Sequence, residues 1–489
     1  MVVVGREALG LLSPFTLAQV GRLGRAGTRS DCSSACLTLS LALFNESTSP
    51  AHPPSPPRLL FISYKLLQLT AALYCFVKRT YGLPRAPSTA SVLTPASPRA
   101  LLALAKVGVA LVGVGLVGKE VVRLLLSPSL RQVFDIVLLS NSKHAVLLES
   151  NVQLDADALL SLLPPSSSPL PPSSPQATYL PADPDHLVDL LAERSRATSQ
   201  HIILVDCTSS ELIASLYPRT ISSSLSVVTP NKRAFSSSAS LYDDVQSSLR
   251  RPDAGLCYYE ATCGAGLPVL TTVRDLVATG DEVVKVEAVL SGTLSYLFNQ
   301  YSTVEPPKER MRFSELVWDA WKNGHTEPHP ADDLSGRDVA RKLTILARLA
   351  PPSSANLPDG YASAETQSLV PPNLTDVTDP AAFVDGLAAH DEEFERLRRE
   401  AEGEGKVLRY VGLLDRSTGT IKCGLEKFAH SHPFASLSGS YLSLAIYTRR
   451  YSSSPLVIQG PGYPLSVTAG AVVADTIRVA ERYGAKVGL

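Results

Sequence analysis

The hydrophobic pattern of this chain changes character near residue 106. From there, short continuous apolar runs alternate with stretches whose apolar residues recur at helical spacing. Residues 107–112 read as a buried strand and 116–126 as a helix. Residues 135–139, 201–206 and 225–228 read as further strands. Strands that lack polar alternation are buried on both faces, and intervening helices supply the crossovers that parallel strands require. The pattern predicts an α/β fold that opens with a parallel sheet. Residues 162–176 (LLPPSSSPLPPSSPQ) interrupt it as a Pro/Ser loop, and 351–380 read as a Pro-rich surface excursion or linker. Beyond them, 381–407 is charged and helical. Residues 408–414, 420–425 and 442–447 read as strands, and the Ala- and Val-rich tail 467–483 as a helix.

Residues 1–105 follow no such pattern. They carry ten Arg and Lys against three acids, Glu7, Asp31 and Glu46, in a background of Ser, Pro, Leu and Ala. That bias fits a disordered extension or a gene-model artefact, with a mitochondrial transit segment as the alternative. The closest approach to a membrane span, 66–77, is 12 residues long between Lys65 and the Lys78-Arg79 pair, well short of the ~20 that cross a bilayer. Composition narrows the classes further. A chain of 489 residues, 45% of them hydrophobic, has room for about two to three domains. A net charge of −1 gives no footing for nucleic acid or an acidic membrane surface as partner. The seven scattered cysteines (32, 36, 75, 207, 257, 263 and 423) form no disulfide framework and suit a reducing compartment, the cytoplasm being expected. Cys32 and Cys36 lack the second ligand pair of a zinc site.

Candidate chemistry concentrates in EPHPADDLSGRDVARK, residues 327–342, which holds Glu327, Asp332, Asp333, Asp338 and Lys342. From Gly336 onward it reads as a helix entry, so Asp338 and Lys342, four apart, share one face. That spacing serves an ordinary ion pair equally well; what favours proton chemistry is a second motif upstream. Gly113-Val114-Gly115-Leu116-Val117-Gly118 follows an apolar strand and opens a helix, the context of a dinucleotide fingerprint. Its glycines serve the turn, the approach of the pyrophosphate and helix–strand packing, while the helix N-terminus offers N–H groups to phosphate. The second strand ends in Ser140-Asn-Ser-Lys143-His144 without an acid for a ribose 2′-hydroxyl. Hydroxyls and a cation suit a 2′-phosphate, so NADP(H) is preferred, with NAD(H) as the alternative.

Asp206-Cys-Thr208-Ser-Ser210 and Thr229-Pro-Asn231-Lys232 end the next two strands, where ligands bind in open α/β sheets. The Gly-rich loop Glu260-Ala-Thr-Cys263-Gly-Ala265-Gly-Leu267-Pro268 either turns carbonyls inward onto a hard cation or is a tight loop without an ion. Ser291-Gly-Thr293 either contacts a substrate or caps the helix behind it.

Taken in order, VGVGLVG, DCTSS, TPNKRAF, EATCGAGLPVL, LSGTLSYLFN, HTEPHPADDLSGRDVARK, SHPFASL and VTAGAVVADTIR resemble homoserine dehydrogenase of the monofunctional, fungal type over residues 106–489. The resemblance implies a Rossmann-type nucleotide domain (106–259), an α+β catalytic domain (260–407), dimerisation strands (408–458) and a C-terminal segment (459–489) returning to the nucleotide domain. It implies NAD(P)H-dependent reduction of L-aspartate 4-semialdehyde to L-homoserine by a homodimer. By position, Lys342 matches the proton donor and Lys232 a second active-site lysine near the cofactor. Glu327, Asp338, Asp333 and Thr293 match substrate-binding positions. Gly113, Val114, Gly115, Leu116, Val117, Gly118, Thr208, Lys232 and Gly462 match cofactor contacts, and Glu260, Cys263, Ala265 and Leu267 a sodium site formed through backbone carbonyls. Two lysines in one pocket are expected to lower each other's pKa.

The sequence departs from the family pattern at Gly460-Pro-Gly462-Tyr463-Pro464, where a GAGAG-like loop is usual, at Cys263 for an aliphatic residue, and at His325 for an aromatic one. Pro464 offers no N–H to a cofactor. The alternative reading is therefore a weakened or regulatory cofactor-binding paralogue.

Overall fold

The computed structural model describes residues 106–149, 154–350 and 357–487. The N-terminal extension and its apolar run 66–77 lie outside the described residues.

Two sheets organise the fold. The first has seven strands: β1 (Val107–Val112), β2 (Phe134–Ser140), β3 (His144–Leu148), β4 (Ala177–Pro181), β5 (Ile202–Asp206), β6 (Ser226–Val228) and β7 (Cys257–Tyr258), in the order β4-β3-β2-β1-β5-β6-β7. From β2 to β7 the neighbours run parallel, as continuous apolar strands require. Every residue of β1 is buried. β3 and β4 are additions to the expected sheet and run antiparallel at one edge. The sequence did not reveal them because β3 follows β2 through a three-residue polar turn and β4 follows the Pro/Ser stretch.

Register carries the functional consequence. Val112 pairs with Ser140 on one side and with Asp206 on the other. The fingerprint turn, the end of β2 and the DCTSS segment therefore emerge side by side from the carboxyl edge of the sheet, where a crevice forms.

The second sheet comprises β8 (Val283–Val289), β9 (Glu365–Thr366), β10 (Lys406–Asp415), β11 (Thr420–Ala429), β12 (Tyr441–Thr448) and β13 (Leu456–Pro461), in the order β13-β12-β8-β10-β11-β9. Only the β9–β11 pair is parallel. On one face Val286, Ala288, Leu408, Tyr410, Leu414, Leu444 and Ile446 join a core with the helices Gly292–Tyr301 and Arg337–Leu349. On the other, Val289, Val411 and Ala445 form a small cluster with Phe434 and Leu437.

The Pro-rich stretch after residue 350 departs from the expected surface linker. Its described part buries Leu357, Leu369 and Leu374 and places β9 beside β11. Leu369 N–H donates to the Leu334 carbonyl at 2.9 Å. Apolar residues spaced among the prolines, rather than the prolines themselves, decide its path. The C-terminal helix Leu465–Arg482 returns to the first sheet: Ala469, Val472 and Val479 share a core with Val109, Val121 and Leu125.

Candidate active site

The fingerprint has the geometry its glycines imply. Gly113 sits at φ +91, and a β-carbon there would lie 2.7 Å from Thr208 Cγ2. At Gly118 it would fall 2.3 Å from the Gly113 carbonyl oxygen, so only glycine lets the helix Leu116–Leu125 start this close to β1. A β-carbon on Gly115 would meet nothing within 4 Å, leaving the open approach a pyrophosphate needs. Leu116 is 74% exposed at the head of that helix. Val114 and Val117 pack partly into the core below. The residues present thus fit a dinucleotide.

At the end of β2, Asn141 builds the turn: its Oδ1 accepts from the N–H groups of Lys143 and His144, both at 2.9 Å. Its Nδ2 donates to the Pro164 carbonyl at 2.8 Å, fastening the Pro/Ser loop beside the turn. Ser142 and Lys143 are exposed at the tip.

The charged cluster lies on the helix Arg337–Leu349. Gly336 precedes it at φ +70, and a β-carbon there would collide with the Tyr410 hydroxyl at 1.9 Å. Asp338 and Lys342 share the predicted face, with Lys342 Nζ 2.7 Å from Asp338 Oδ2. Lys232 Nζ lies 3.2 Å from Asp338 Oδ1. One carboxylate thus bridges two ammonium groups. Lys342 Nζ also donates to the Leu290 carbonyl at 2.7 Å, directly before the Ser291-Gly-Thr293 turn. Ser291 caps the next helix, its Oγ accepting from Leu294 N–H at 3.1 Å.

Electrostatics departs from the expectation of two mutually depressed lysines. Burial lowers the pKa of Lys342, but the Asp338 carboxylate outweighs it and holds the ammonium above its ordinary value. For Asp338, burial acts upward and is overcome by Lys232 and Lys342, which hold the carboxyl well below its usual range. The intervening acid changes the sign of the effect.

Asp333 behaves differently. Burial pushes its pKa up to about 6, although its Oδ2 accepts from Glu327 N–H at 2.8 Å. The Thr293 hydroxyl donates to the His325 carbonyl at 2.8 Å, with the Asp333 carboxylate also within its reach. Glu327 is exposed at the mouth of this segment. The structure therefore gathers Glu327, Asp333 and Thr293 in one group, and Asp338, Lys342 and Lys232 in another, joined through the Leu290–Thr293 turn.

Sequence reasoning overlooked what fastens the two lysine-bearing segments together. Arg348 donates to the carbonyls of Phe235 and Ser237, both at 2.8 Å, and Arg341 to Ser236 Oγ at 3.3 Å. The repeat of Arg at i and i+7 on the Lys342 helix was the available signal.

The loop 260–268 meets the same centre. Burial raises the Cys263 thiol to about 12, with the charges of Lys342, Glu260, Asp338 and Lys232 acting on it in that order. The Glu260 carboxylate is occupied: it accepts from Leu270 N–H at 2.6 Å, from Thr271 N–H at 2.8 Å and from the Thr271 hydroxyl, so it caps the helix Val269–Ala278. Only main-chain oxygens of Glu260, Cys263, Ala265 and Leu267 suit a hard cation. Those of Glu260 and Leu267 each accept one hydrogen bond and keep a second lone pair.

The altered loop forms the other wall. Gly460, next to last in β13, lies against Leu267, and Gly462 N–H donates to the Ser440 carbonyl at 3.1 Å. Pro464 is the N-cap of the C-terminal helix, where a missing N–H breaks no helical bond. Tyr463 stands edge-on to His325, ring centroids 6.0 Å apart, and His325 stacks on Tyr296 at 4.5 Å. Tyr463 and His325, from two of the three departures from the family pattern, are thus neighbours.

A parallel sheet with a glycine fingerprint, opening onto paired lysines and carboxylates, defines a nicotinamide-dependent oxidoreductase. Comparison with known proteins gives the family. The family model described as Homoserine dehydrogenase matches residues 268–477, and that described as Homoserine dehydrogenase, NAD binding domain, matches 113–251. Homoserine dehydrogenase of Saccharomyces cerevisiae is 41% identical over 334 residues, 68% of this chain and 90% of its own. A crystal structure of a Candida auris protein of unknown function is 38% identical and superposes with a TM-score of 0.67 over 77% of this chain and 99% of its own. A hyperthermophilic archaeal homoserine dehydrogenase mutant in complex with NADPH shares the fold at 19% identity, TM-score 0.55, over 77% and 98% of the two chains. This chain belongs to the homoserine dehydrogenase family, and its reaction is the NAD(P)H-dependent interconversion of L-aspartate 4-semialdehyde and L-homoserine. The reading as a weakened paralogue is not favoured.

Proposed function

We propose that Lys342 is the proton donor of this reaction and Lys232 the second cation at the reacting oxygen, with Glu327, Asp333, Asp338 and Thr293 holding the amino acid. The observation that carries the reading is the Asp338 carboxylate within 3.2 Å of both ammonium groups. When bound, NAD(P)H supplies the hydride. Hydride arrival leaves negative charge on the former aldehyde oxygen; an adjacent ammonium stabilises that charge and gives up a proton to it. The raised pKa of Lys342 keeps it charged at neutral pH, so it donates rather than waits for a proton. In the reverse direction the neutral amine takes the hydroxyl proton of homoserine. The carboxylates suit the ammonium group of the substrate, and Asp338 keeps the two lysines apart and oriented.

Gly113, Val114, Gly115, Leu116, Val117, Gly118, Thr208 and Gly462 are proposed to line the cofactor. The acid-free turn at Ser142 and Lys143 supports a preference for NADP(H). Main-chain oxygens of residues 260–267 are proposed to hold a sodium ion, which would stiffen the loop beside Lys342. The strands of residues 408–458 are proposed to meet a second copy of the chain. Among the described residues no helix is long and apolar enough to cross a membrane, and a cytoplasmic location is proposed. Lys342→Ala tests the central assignment: turnover should fall by about 1000-fold or more while NADPH still binds and quenches intrinsic fluorescence. Full activity would refute it.

A further inference from the structure

Asp206 is wholly buried at the carboxyl end of β5, and all its hydrogen-bond donors are uncharged. Its Oδ1 accepts from Thr208 N–H at 2.7 Å. Its Oδ2 accepts from the Tyr217 hydroxyl at 2.5 Å and from Asn231 Nδ2 at 2.9 Å. Its carbonyl accepts from the Thr229 hydroxyl at 2.8 Å. The far end of the Asn231 side chain is held too: Oδ1 accepts from Arg233 N–H at 3.0 Å, so the turn carrying Lys232 is fixed from both sides. Asn231 Nδ2 also reaches the Ser210 carbonyl at 2.9 Å.

A buried anion is costly unless every lone pair finds a donor, and a fully satisfied network in a low-dielectric interior is correspondingly stiff. Four segments meet here: the end of β5, the Thr208–Ser210 turn, Tyr217 on the helix Tyr217–Ser222, and the turn after β6. A mere packing role would be met by apolar residues at lower cost. What the carboxylate adds is direction, because its acceptors fix Asn231, and the next residue is Lys232, whose Nζ meets Asp338.

We propose that Asp206 and Tyr217 are positioning residues for the reaction: the buried carboxylate clamps the ends of β5 and β6 and thereby aims Lys232 at the reacting oxygen. The proposal rests on the role given to Lys232 above.

A double-mutant cycle of Tyr217→Phe with Lys232→Met tests it. Tyr217→Phe keeps the ring and removes one donor. Alone, it should lower kcat/KM for homoserine about tenfold, and it should have no further effect once Lys232 is Met, because coupled residues are not additive. Thermal unfolding should shift by the same amount in both backgrounds. An equal loss of activity in both backgrounds, or none in either, overturns the clamp while leaving the lysine's role intact. Full activity of Lys232→Met alone overturns the lysine's role and the clamp with it. If Tyr217→Phe fails to fold, Asp206→Asn, which preserves volume and replaces an acceptor by a donor, is read in the same cycle with the same outcomes.

Discussion

Arg348 donates to the main-chain carbonyl of Phe235 at 2.8 Å, so the helix that carries Lys342 grips the short helix that follows Lys232. The same guanidinium reaches Ser237 and Leu357 at 2.8 and 3.3 Å. Replacing it by Met removes this donor from the carbonyls of Phe235 and Ser237 in a partly buried place, while the Leu357 carbonyl still accepts from Gly360 N–H at 3.1 Å. Each hydrogen bond to a charged donor is worth about 1.5–3 kcal/mol, and water reaching the site recovers part of that. Arg348→Met should lower the melting temperature by several degrees and kcat by roughly tenfold. Unfolding by calorimetry and steady-state rates check both; a stability loss with unchanged kcat would separate Arg348 from lysine placement.

Asp333 gives a pH dependence with a definite sign. Burial holds it protonated up to about 6. Below that it is neutral and cannot pair with the substrate's ammonium group; above it the anion forms. KM for homoserine should therefore fall as pH rises from about 5 to about 7 and then level. Asp333→Asn should flatten the profile. The folding sign is opposite: ionising a carboxyl whose folded pKa is raised costs stability between about 4 and 6, so the site gains substrate affinity as it loses a little stability.

Lys143 tests the cofactor preference. It stands exposed at the acid-free turn after β2. Lys143→Ala should lower kcat/KM for NADPH about tenfold and leave that for NADH nearly unchanged, since one exposed charge-assisted bond to a phosphate is worth roughly 1–2 kcal/mol. Equal losses with both cofactors would place the lysine away from the 2′-phosphate.

His201 ties the C-terminal helix to acid stability. It stacks on Tyr483 with ring centroids 3.4 Å apart and its Nε2 is 2.9 Å from Ser226 Oγ. Burial lowers its pKa to about 4. A depressed folded pKa means that the unfolded chain takes up the proton first, so stability is lost as pH falls from about 6.5 to about 4, by up to about 3 kcal/mol. Urea unfolding across that range should show the slope, and His201→Gln should remove most of it.

Much of this was legible in the sequence, for identifiable reasons. β1 and the Gly113–Gly118 turn announce themselves because continuous apolar residues and spaced glycines have few other uses. Asp338 and Lys342 could be paired from spacing alone, since a helix brings i and i+4 together. Lys232 could not: the end of its strand put it at the ligand crevice and family resemblance gave it a role, but it reaches Asp338 only through the fold. The raised pKa of Lys342 escaped as well, because its sign depends on a carboxylate standing between two amines. Tyr217 and Arg348 look like ordinary helix residues, and only contacts with chain segments distant in sequence reveal what they hold. The described part of the Pro-rich stretch was misread because prolines mark turns but say nothing of the leucines between them, which are buried.

The most direct test is the position of two nitrogens in a crystal structure of the ternary complex with homoserine and a non-reactive nicotinamide cofactor. Lys342 Nζ should lie within about 3.2 Å of the substrate hydroxyl oxygen, with Lys232 Nζ facing the same oxygen and Asp338 between them. Lys342 turned away and the hydroxyl held by other groups would contradict the account.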